Sequence, residues 1–225
     1  MILALPPAPP VALTVSPSRL ALAAGETGTI EIVNRGDART TVTVSASGLM
    51  LGLRGRPRIV LRPAGIVIRP RRLAVAAGAI ATIAVSAPRG SRPGDRPALV
   101  LVSTRGGAHG VAVGLRIGVV VLVRGAGPVV RRLVPLAVHA RGRTLELLLR
   151  NAGNVSERLD PGAIRIRLLR RGHVVARPRA EPRELLPHTR GILRLHVARP
   201  LRGNAAALVR ILGRTWRLGV KAGRR

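Results

Sequence analysis

The five histidines offer the widest choice of chemistry in this chain, because imidazole serves both as a general base and as a metal ligand. They lie at positions 109, 139, 173, 188 and 196. His188 and His196 lack the i,i+2 or i,i+4 spacing of a local metal site. The chain has no cysteine, which excludes disulfides, thiolate zinc sites and a cysteine nucleophile. We therefore expect no metal and no cofactor, and we interpret the histidines as surface or strand-face residues.

Candidates for hydrolytic chemistry are equally sparse. The nucleophile motif G-x-S-x-G is absent, and His109 stands in a glycine-rich stretch that is typical of a hairpin loop. Glu181 and Glu184 could form the carboxylate pair of a glycosidase, but the prolines around them indicate a connection between strands. Neither a phosphate-binding G-x-x-x-x-G-K-[ST] nor a dinucleotide-binding G-x-G-x-x-G pattern occurs. The sequence thus predicts a protein that is not an enzyme.

Arginine is the remaining source of chemistry. The chain carries 39 Lys+Arg against 9 Asp+Glu, a formal net charge of +30, and arginine binds phosphate and carboxylate groups in a bidentate manner. The residues that we predict as possible polyanion contacts lie on strand faces or at a turn: Arg165, Arg167, Arg170, Arg171 and Arg194. Lys221 is the only lysine. Whether the charge is functional or reflects GC-rich codon use stays open.

The composition limits which polyanions this surface could recognise. Trp216 is the only aromatic side chain among Phe, Trp and Tyr, whereas proteins that bind single-stranded nucleic acid use aromatic platforms. No helix-turn-helix, zinc-finger or RNP-type pattern occurs. We expect attraction to nucleic acid or to an anionic cell-wall polymer through charge alone, without sequence-specific recognition of nucleic acid.

The elements that must position these residues are short strands. Apolar residues alternate with polar ones, as in residues 164–168, where Arg165 and Arg167 share one face. Proline and glycine interrupt the pattern about every ten residues, and residues 34–37 and 151–154 contain the turn formers Asn and Gly. The predicted strands are 11–15, 27–33, 40–45, 58–61, 66–68, 80–85, 98–103, 111–123, 133–140, 144–150, 164–168, 173–175, 191–197, 205–212 and 215–220. This spacing predicts an all-β, antiparallel sandwich architecture.

An internal echo is the most specific feature of the pattern. Residues 17–30 and 70–83 match at nine of fourteen positions. Each copy has a proline, a strand, a glycine at 25 or 78, and a second strand that starts at Thr-Ile. Glycine supplies the positive φ that a tight turn often needs. A solenoid would repeat the unit a third time, so we favour two similar edges of one sandwich.

The order of these motifs resembles tandem immunoglobulin-like modules. The first half, with L-T-V-S-P-S-R-L at 13–20 and A-A-G-E-T-G-T-I-E-I-V-N-R-G at 23–36, resembles the pilus-chaperone or major-sperm-protein type. The second half, with L-E-L-L-L-R-N-A-G-N-V at 145–155, is similar to a second such module. Tandem modules of this kind occur in bacterial envelope proteins, including the WxL-interacting cell-surface proteins. The resemblance implies two immunoglobulin-like β-sandwich domains in tandem and a non-catalytic role.

We therefore predict the following organisation: a Pro-rich segment at 1–10, a first domain at 11–126, a linker at 127–132, a second domain at 133–221 and a basic tail at 222–225. The predicted function is that of a scaffold, adhesive or protein-interaction module of the bacterial cell envelope or the extracellular space. A partner protein could pair with an exposed strand edge. The alternative is an arginine-rich binder of polyanions.

The ends of the chain and its apolar runs bear on localisation. The first ten residues have no basic region, and their apolar run is too short for a signal peptide. Either the protein stays inside the cell or the true start lies upstream. The longest apolar run, residues 117–123, is far shorter than a spanning helix and is bounded by Arg116 and Arg124. We expect no membrane span in this chain.

Overall fold

The computed structural model describes residues 12–61, 65–90, 92–106, 113–201 and 203–222. These residues form strands and turns without a helix, which confirms the all-β prediction. The strands are β1 (Leu13–Ser16), β2 (Arg19–Ala23), β3 (Thr27–Asn34), β4 (Thr40–Leu51), β5 (Pro57–Val60), β6 (Val67–Arg69), β7 (Arg72–Val75), β8 (Ile80–Ser86), β9 (Gly94–Gly106), β10 (Val113–Gly125), β11 (Leu133–Arg141), β12 (Thr144–Asn151), β13 (Glu157–Leu159), β14 (Ile164–Arg170), β15 (His173–Ala176), β16 (Arg179–Ala180), β17 (Arg183–Leu185), β18 (Arg190–His196), β19 (Ala205–Ile211) and β20 (Arg214–Ala222). The Pro-rich segment 1–10, the loop around His109 and the tail beyond residue 222 lie outside the described residues.

Contacts between residues divide the chain into two units. The first runs up to Leu49 and includes Ile59–Arg92 and Arg96–Ala126. The second contains Met50–Arg58, Pro93–Asp95 and the chain from Gly127 onward. The end of β4 (residues 50–51) and the start of β9 (residues 94–95) therefore belong to the second unit, a division that the sequence pattern does not predict.

The first unit is built on two sheets. One has the strand order β1-β3-β8-β6, and the other has the order β2-β10-β9-β4-β5, with β7 paired to β4. Every second residue of the central strands is apolar and buried, because successive side chains of a strand point to opposite faces. The resulting core contains mainly valine and isoleucine, among them Ile30, Ile32, Ile83, Val85, Val100, Val102 and Val121.

The two copies of the sequence echo occupy equivalent positions in the first unit. Its first copy spans β2 and β3, and its second copy spans β7 and β8; β3 and β8 pair side by side. The strand before each copy, β1 or β6, forms an edge of that sheet, while β2 and β7 belong to the other sheet. The turns contain Gly25 and Gly78 with φ of 83° and 70°, a region that favours glycine.

The second unit has an eight-stranded sheet in the order β15-β14-β19-β20-β11-β12-β18-β16, and a two-stranded sheet of β13 and β17. Its core is rich in leucine and includes Leu145, Leu147, Leu149, Leu193, Leu195, Val209 and Ile211. In β14 the alternation is as predicted: Ile164 and Ile166 are buried, whereas Arg165 and Arg167 are exposed. Arg171 and Gly172, both with positive φ, form the predicted turn into β15.

Each unit contains one asparagine that is fully buried at the start of an N-x-G turn. Nδ2 of Asn34 donates to the carbonyls of Ala38 at 2.8 Å and Val75 at 3.1 Å, and Oδ1 accepts the amide of Gly36 at 3.0 Å. Asn151 makes the same three kinds of bond. A buried side-chain amide must satisfy its donors and its acceptor, so each asparagine fixes its turn against a neighbouring segment.

Candidate protein-binding edge

Strand β10 has a paired strand on each side, but on one side the pairing covers only part of its length. Strand β9 adjoins it on the first side. On the second side, β2 pairs in parallel with Val120–Arg124. Among the described residues, no strand pairs with that second side ahead of Val120. As far as the described strands go, residues 114–119 therefore lie on an open sheet edge.

The open edge follows from the path of the first two strands. A continuation of β2 toward the N-terminus would run beside the residues that precede Val120. Leu13–Ser16 instead pairs with β3 in the other sheet. The carbonyl of Ser18 still accepts the amide of Val120 at 3.1 Å, but Pro17, which precedes it, has no N–H to give. Because of this change of sheet, no described strand pairs with this side of β10 ahead of Val120.

The hydrogen bonds to β2 show which backbone groups face the open side. The amide of Val120 donates to the carbonyl of Ser18, just before β2, and the carbonyl of Arg124 accepts the amide of Ala24, just after β2. Residues of the same parity direct their backbone groups to the same side of a strand. Gly114, Arg116 and Gly118 accordingly point their N–H and C=O groups to the open edge.

The side chains of the open segment alternate between apolar and small or charged. Leu115 and Ile117 are half-buried and lie on the face where Val119 enters the core. Arg116 and Gly118 are exposed on the opposite face. An added strand could therefore pair with backbone N–H and C=O groups, pack against an apolar face and contact a cationic side chain.

The predicted polyanion contacts are exposed and lie in the second unit. Arg165, Arg167 and Arg170 belong to β14, Arg171 lies at the turn after it, and Arg194 lies on β18. Arg165 and Arg167 line one groove with two arginines that the sequence reasoning missed, Arg177 and Arg179. Arg194 lines a different hollow, with Arg54 and Arg56. The five predicted residues are thus distributed over more than one site.

Arg183 is a further cation that the sequence reasoning missed. One of its terminal nitrogens donates to the carbonyls of Leu53 at 2.8 Å and Gly52 at 3.1 Å, and burial lowers the pKa of the guanidinium. The guanidinium lies against Gly55 and Gly191, where a Cβ on either glycine would approach its nitrogens to 2.7 Å and 3.1 Å. The two glycines leave room for this side chain, a relation that no local pattern reveals.

We compared the sequence and the structure of this chain with those of known proteins. No protein-family model and no curated protein matches the chain. Solved structures do match: the class 5 fimbriae chaperone CfaA at a TM-score of 0.57 and 11% identity, covering 95% of this chain and 100% of that chain. The CsuC–CsuE chaperone–tip adhesion subunit complex of Acinetobacter baumannii matches at 0.53 and 12%, covering 95% and 100%. This chain has the fold of the pilus chaperones.

Other matches help to delimit that likeness. A structure of a chaperone–tip adhesin complex of CFA/I fimbriae matches this chain at a TM-score of 0.58 and 11% identity, over 92% of this chain and 96% of that chain. A major sperm protein family member of C. elegans matches at 0.33 over 51% of this chain, which is too low to establish a shared architecture. The predicted resemblance to pilus chaperones is confirmed at the level of the fold.

The histidines that could bind a metal form no metal site in the described part of the chain, and His109 lies outside that part. No group of three His, Cys, Asp or Glu residues there could hold a metal ion. Nε2 of His196 lies 2.9 Å from a carboxylate oxygen of Glu181, so this histidine and this glutamate contact each other at the surface. The matched structures are those of chaperones. The described residues also include no helix that could cross a membrane.

Proposed function

We propose that this protein is a non-catalytic binding protein of the bacterial cell envelope, and that it holds a partner protein by strand addition to the open edge of β10. The partner would contribute an extended segment whose backbone pairs with Gly114, Arg116 and Gly118. Its side chains would pack beside Leu115 and Ile117. Strand addition draws affinity from main-chain hydrogen bonds and specificity from alternate side chains.

The observation that carries the proposal is that no described strand pairs with this side of β10 ahead of Val120, in a chain that has the fold of the pilus chaperones. Long open edges are an aggregation hazard that proteins normally shorten or cover, so an open edge with an apolar face calls for a binding partner. The matched structures include a chaperone in complex with a tip adhesin and the SafB chaperone in complex with the SafA pilin of Salmonella enterica. Those complexes support a partner protein of the subunit type for this chain.

Polyanion binding through Arg165, Arg167, Arg170, Arg171 and Arg194 is the competing proposal. It is supported by their exposure and by the net charge of +30. It predicts equal binding to duplex DNA and to an anionic cell-wall polymer, with affinity that falls steeply as salt is raised. Binding at the β10 edge predicts a weak dependence on salt, because backbone hydrogen bonds and apolar contacts dominate it.

Arg116→Pro tests the edge directly. Proline removes the N–H of residue 116, which faces the open side, and spares the hydrogen bonds to β9. A photo-crosslinking amino acid at position 118 would capture the partner in cells of the source bacterium, and mass spectrometry would identify it. We expect Arg116→Pro to abolish the crosslink and Arg116→Ala, which removes only the charge, to retain it.

Two results would contradict the proposal. One is capture of the same partner in equal yield from Arg116→Pro, with thermal unfolding showing that the variant is folded. The other is an equal crosslink from a photo-crosslinker at the exposed position of Arg190, on β18 of the second unit. Cell fractionation tests the localisation separately: recovery of the whole protein in the cytosol would exclude the envelope.

A further inference from the structure

A second strand edge, in β14 of the second unit, lines a groove of about 540 Å³. β19 pairs with one side of β14 along Ile164–Leu169. On the other side, β15 reaches only Leu168–Arg170. Within the described residues, no strand pairs with that side over residues 165–167, and Ile164 forms only an isolated bridge to Pro161. This short edge forms one wall of the groove, and Arg179 and Ala180 of β16, the last strand of the sheet, form another.

The groove combines an apolar base with a cationic rim. The buried residues Ile164, Ile166 and Ala180 line it from the core side. The exposed arginines of the rim are Arg165, Arg167, Arg177 and Arg179. A volume of this size lies in the range of sites that hold small ligands or short peptides. The groove therefore offers both apolar contact and anion recognition.

No carboxylate neutralises this rim within the described part of the chain. Two acidic residues near it in sequence contact other groups: Asp160 lies 2.9 Å from Nε of Arg158, and Glu181 lies 2.9 Å from His196. Neither is among the residues that line the groove. Four cations that surround an apolar base repel one another, and an anionic occupant would relieve that repulsion.

The spacing of the cations matches an extended peptide. Arg165 and Arg167 are two residues apart on one strand, which separates them by about 7 Å along the strand. A partner strand that carries carboxylates at every second residue repeats at the same interval. Its backbone could pair with the open edge of β14, its apolar side chains could reach the isoleucines, and its carboxylates could meet the arginines.

We propose that this groove binds an extended acidic peptide segment of another protein, by strand addition to β14 with carboxylates held by Arg165, Arg167, Arg177 and Arg179. This site is independent of the β10 edge and lies on strands that belong wholly to the second unit. Arg165 and Arg167, which the sequence indicated as anion contacts, would here bind the carboxylates of a peptide.

A fluorescein-labelled, capped hexapeptide of alternating valine and glutamate tests the proposal with the full chain at physiological salt. We expect saturable binding by fluorescence anisotropy, and no saturation with the matched peptide that has glutamine for glutamate. Arg165→Gln with Arg167→Gln, and separately Arg177→Gln with Arg179→Gln, should each weaken binding by about tenfold or more, since charge-assisted bidentate pairs are lost. N-methylation of alternate amides in the peptide should abolish binding, because it blocks pairing with the strand edge.

The matched control is Arg150→Gln with Arg190→Gln. These exposed arginines lie opposite each other on β12 and β18 of the same unit, outside the groove, and the substitution removes the same charge. We expect a change of less than about twofold, since distant surface charges are screened at this salt. An equal loss in the control, or displacement of the peptide by duplex DNA at an equal concentration of negative charge, would overturn the proposal in favour of general charge attraction.

Discussion

Replacement of Asn151 by alanine should destabilise the second unit far more than a surface substitution does. Nδ2 of Asn151 donates to the carbonyls of Val155 at 2.8 Å and Leu185 at 3.1 Å, and Oδ1 accepts the amide of Gly153 at 3.0 Å. All three bonds are buried. Alanine leaves three backbone groups without this partner, and a net loss of about 1 kcal/mol or more for each gives about 3–5 kcal/mol in total.

The assay is chemical denaturation, combined with hydrogen exchange at the amide of Gly153. In Asn151→Ala that amide loses its acceptor, so its exchange should accelerate more than that of amides in the central strands. Asn204→Ala is the matched control, because Asn204 is exposed and its replacement should change stability by less than about 0.5 kcal/mol. A loss below about 1 kcal/mol for Asn151→Ala, or one equal to the control, would refute the reasoning.

Asn151→Asp sharpens the test, because it keeps the shape and replaces the donor by an acceptor. The new carboxylate would face two carbonyl oxygens, which raises its pKa in the folded state above the unfolded value of about 3.9. A raised pKa contributes stability below the unfolded value and loses it as the pH rises. We expect the variant to be least destabilised below about pH 4 and most destabilised at neutral pH, whereas the deficit of Asn151→Ala should not follow that trend.

Two further predictions concern the arginines of the second unit. Arg183→Met keeps the apolar stem and removes the donors to the carbonyls of Gly52 and Leu53. We expect chemical denaturation to show a free energy of unfolding that is lower by about 1–2 kcal/mol. The amide of Ile192, which donates to the carbonyl of Leu53, should also exchange faster. Unchanged exchange there would show that the guanidinium does not hold this segment. Glu157→Gln removes a buried carboxylate that accepts hydrogen bonds from Nε and a terminal nitrogen of Arg131 at 2.8 Å and 2.6 Å. This pairing also raises the pKa of Arg131. We expect the free energy of unfolding to fall by about 1–3 kcal/mol, and an unchanged value would contradict the prediction.

The sequence predicted the strand-rich fold because its signals are local. The alternation in residues 164–168 fixes which side chains share a face of β14, whatever lies beside that strand. The echo at 17–30 and 70–83 predicted two equivalent edges, since the same proline, glycine and apolar positions impose the same turn and strand twice. The turns at 34–37 and 151–154 were also evident from their residue types.

Other features depended on which distant segments meet. Asparagine in a turn is usually exposed, but Asn34 and Asn151 are buried. Their side-chain amides donate to carbonyls that lie 41 and 34 residues away in the sequence. Arg177 and Arg179 carry no local signal that would pair them with Arg165 and Arg167 in one groove.

The sequence by itself determined that the chain forms short alternating strands with a basic exterior and no catalytic constellation in its motifs. The tertiary structure decided where the edges remain open. Among the described residues, the side of β10 that faces β2 has no paired strand ahead of Val120, because β1 pairs with β3 in the other sheet. The side of β14 that faces away from β19 has none over residues 165–167, because β15 reaches only the last residues of β14. The physical reason is that alternation is a property of one strand, whereas an edge is a property of its neighbours, which long-range pairing selects.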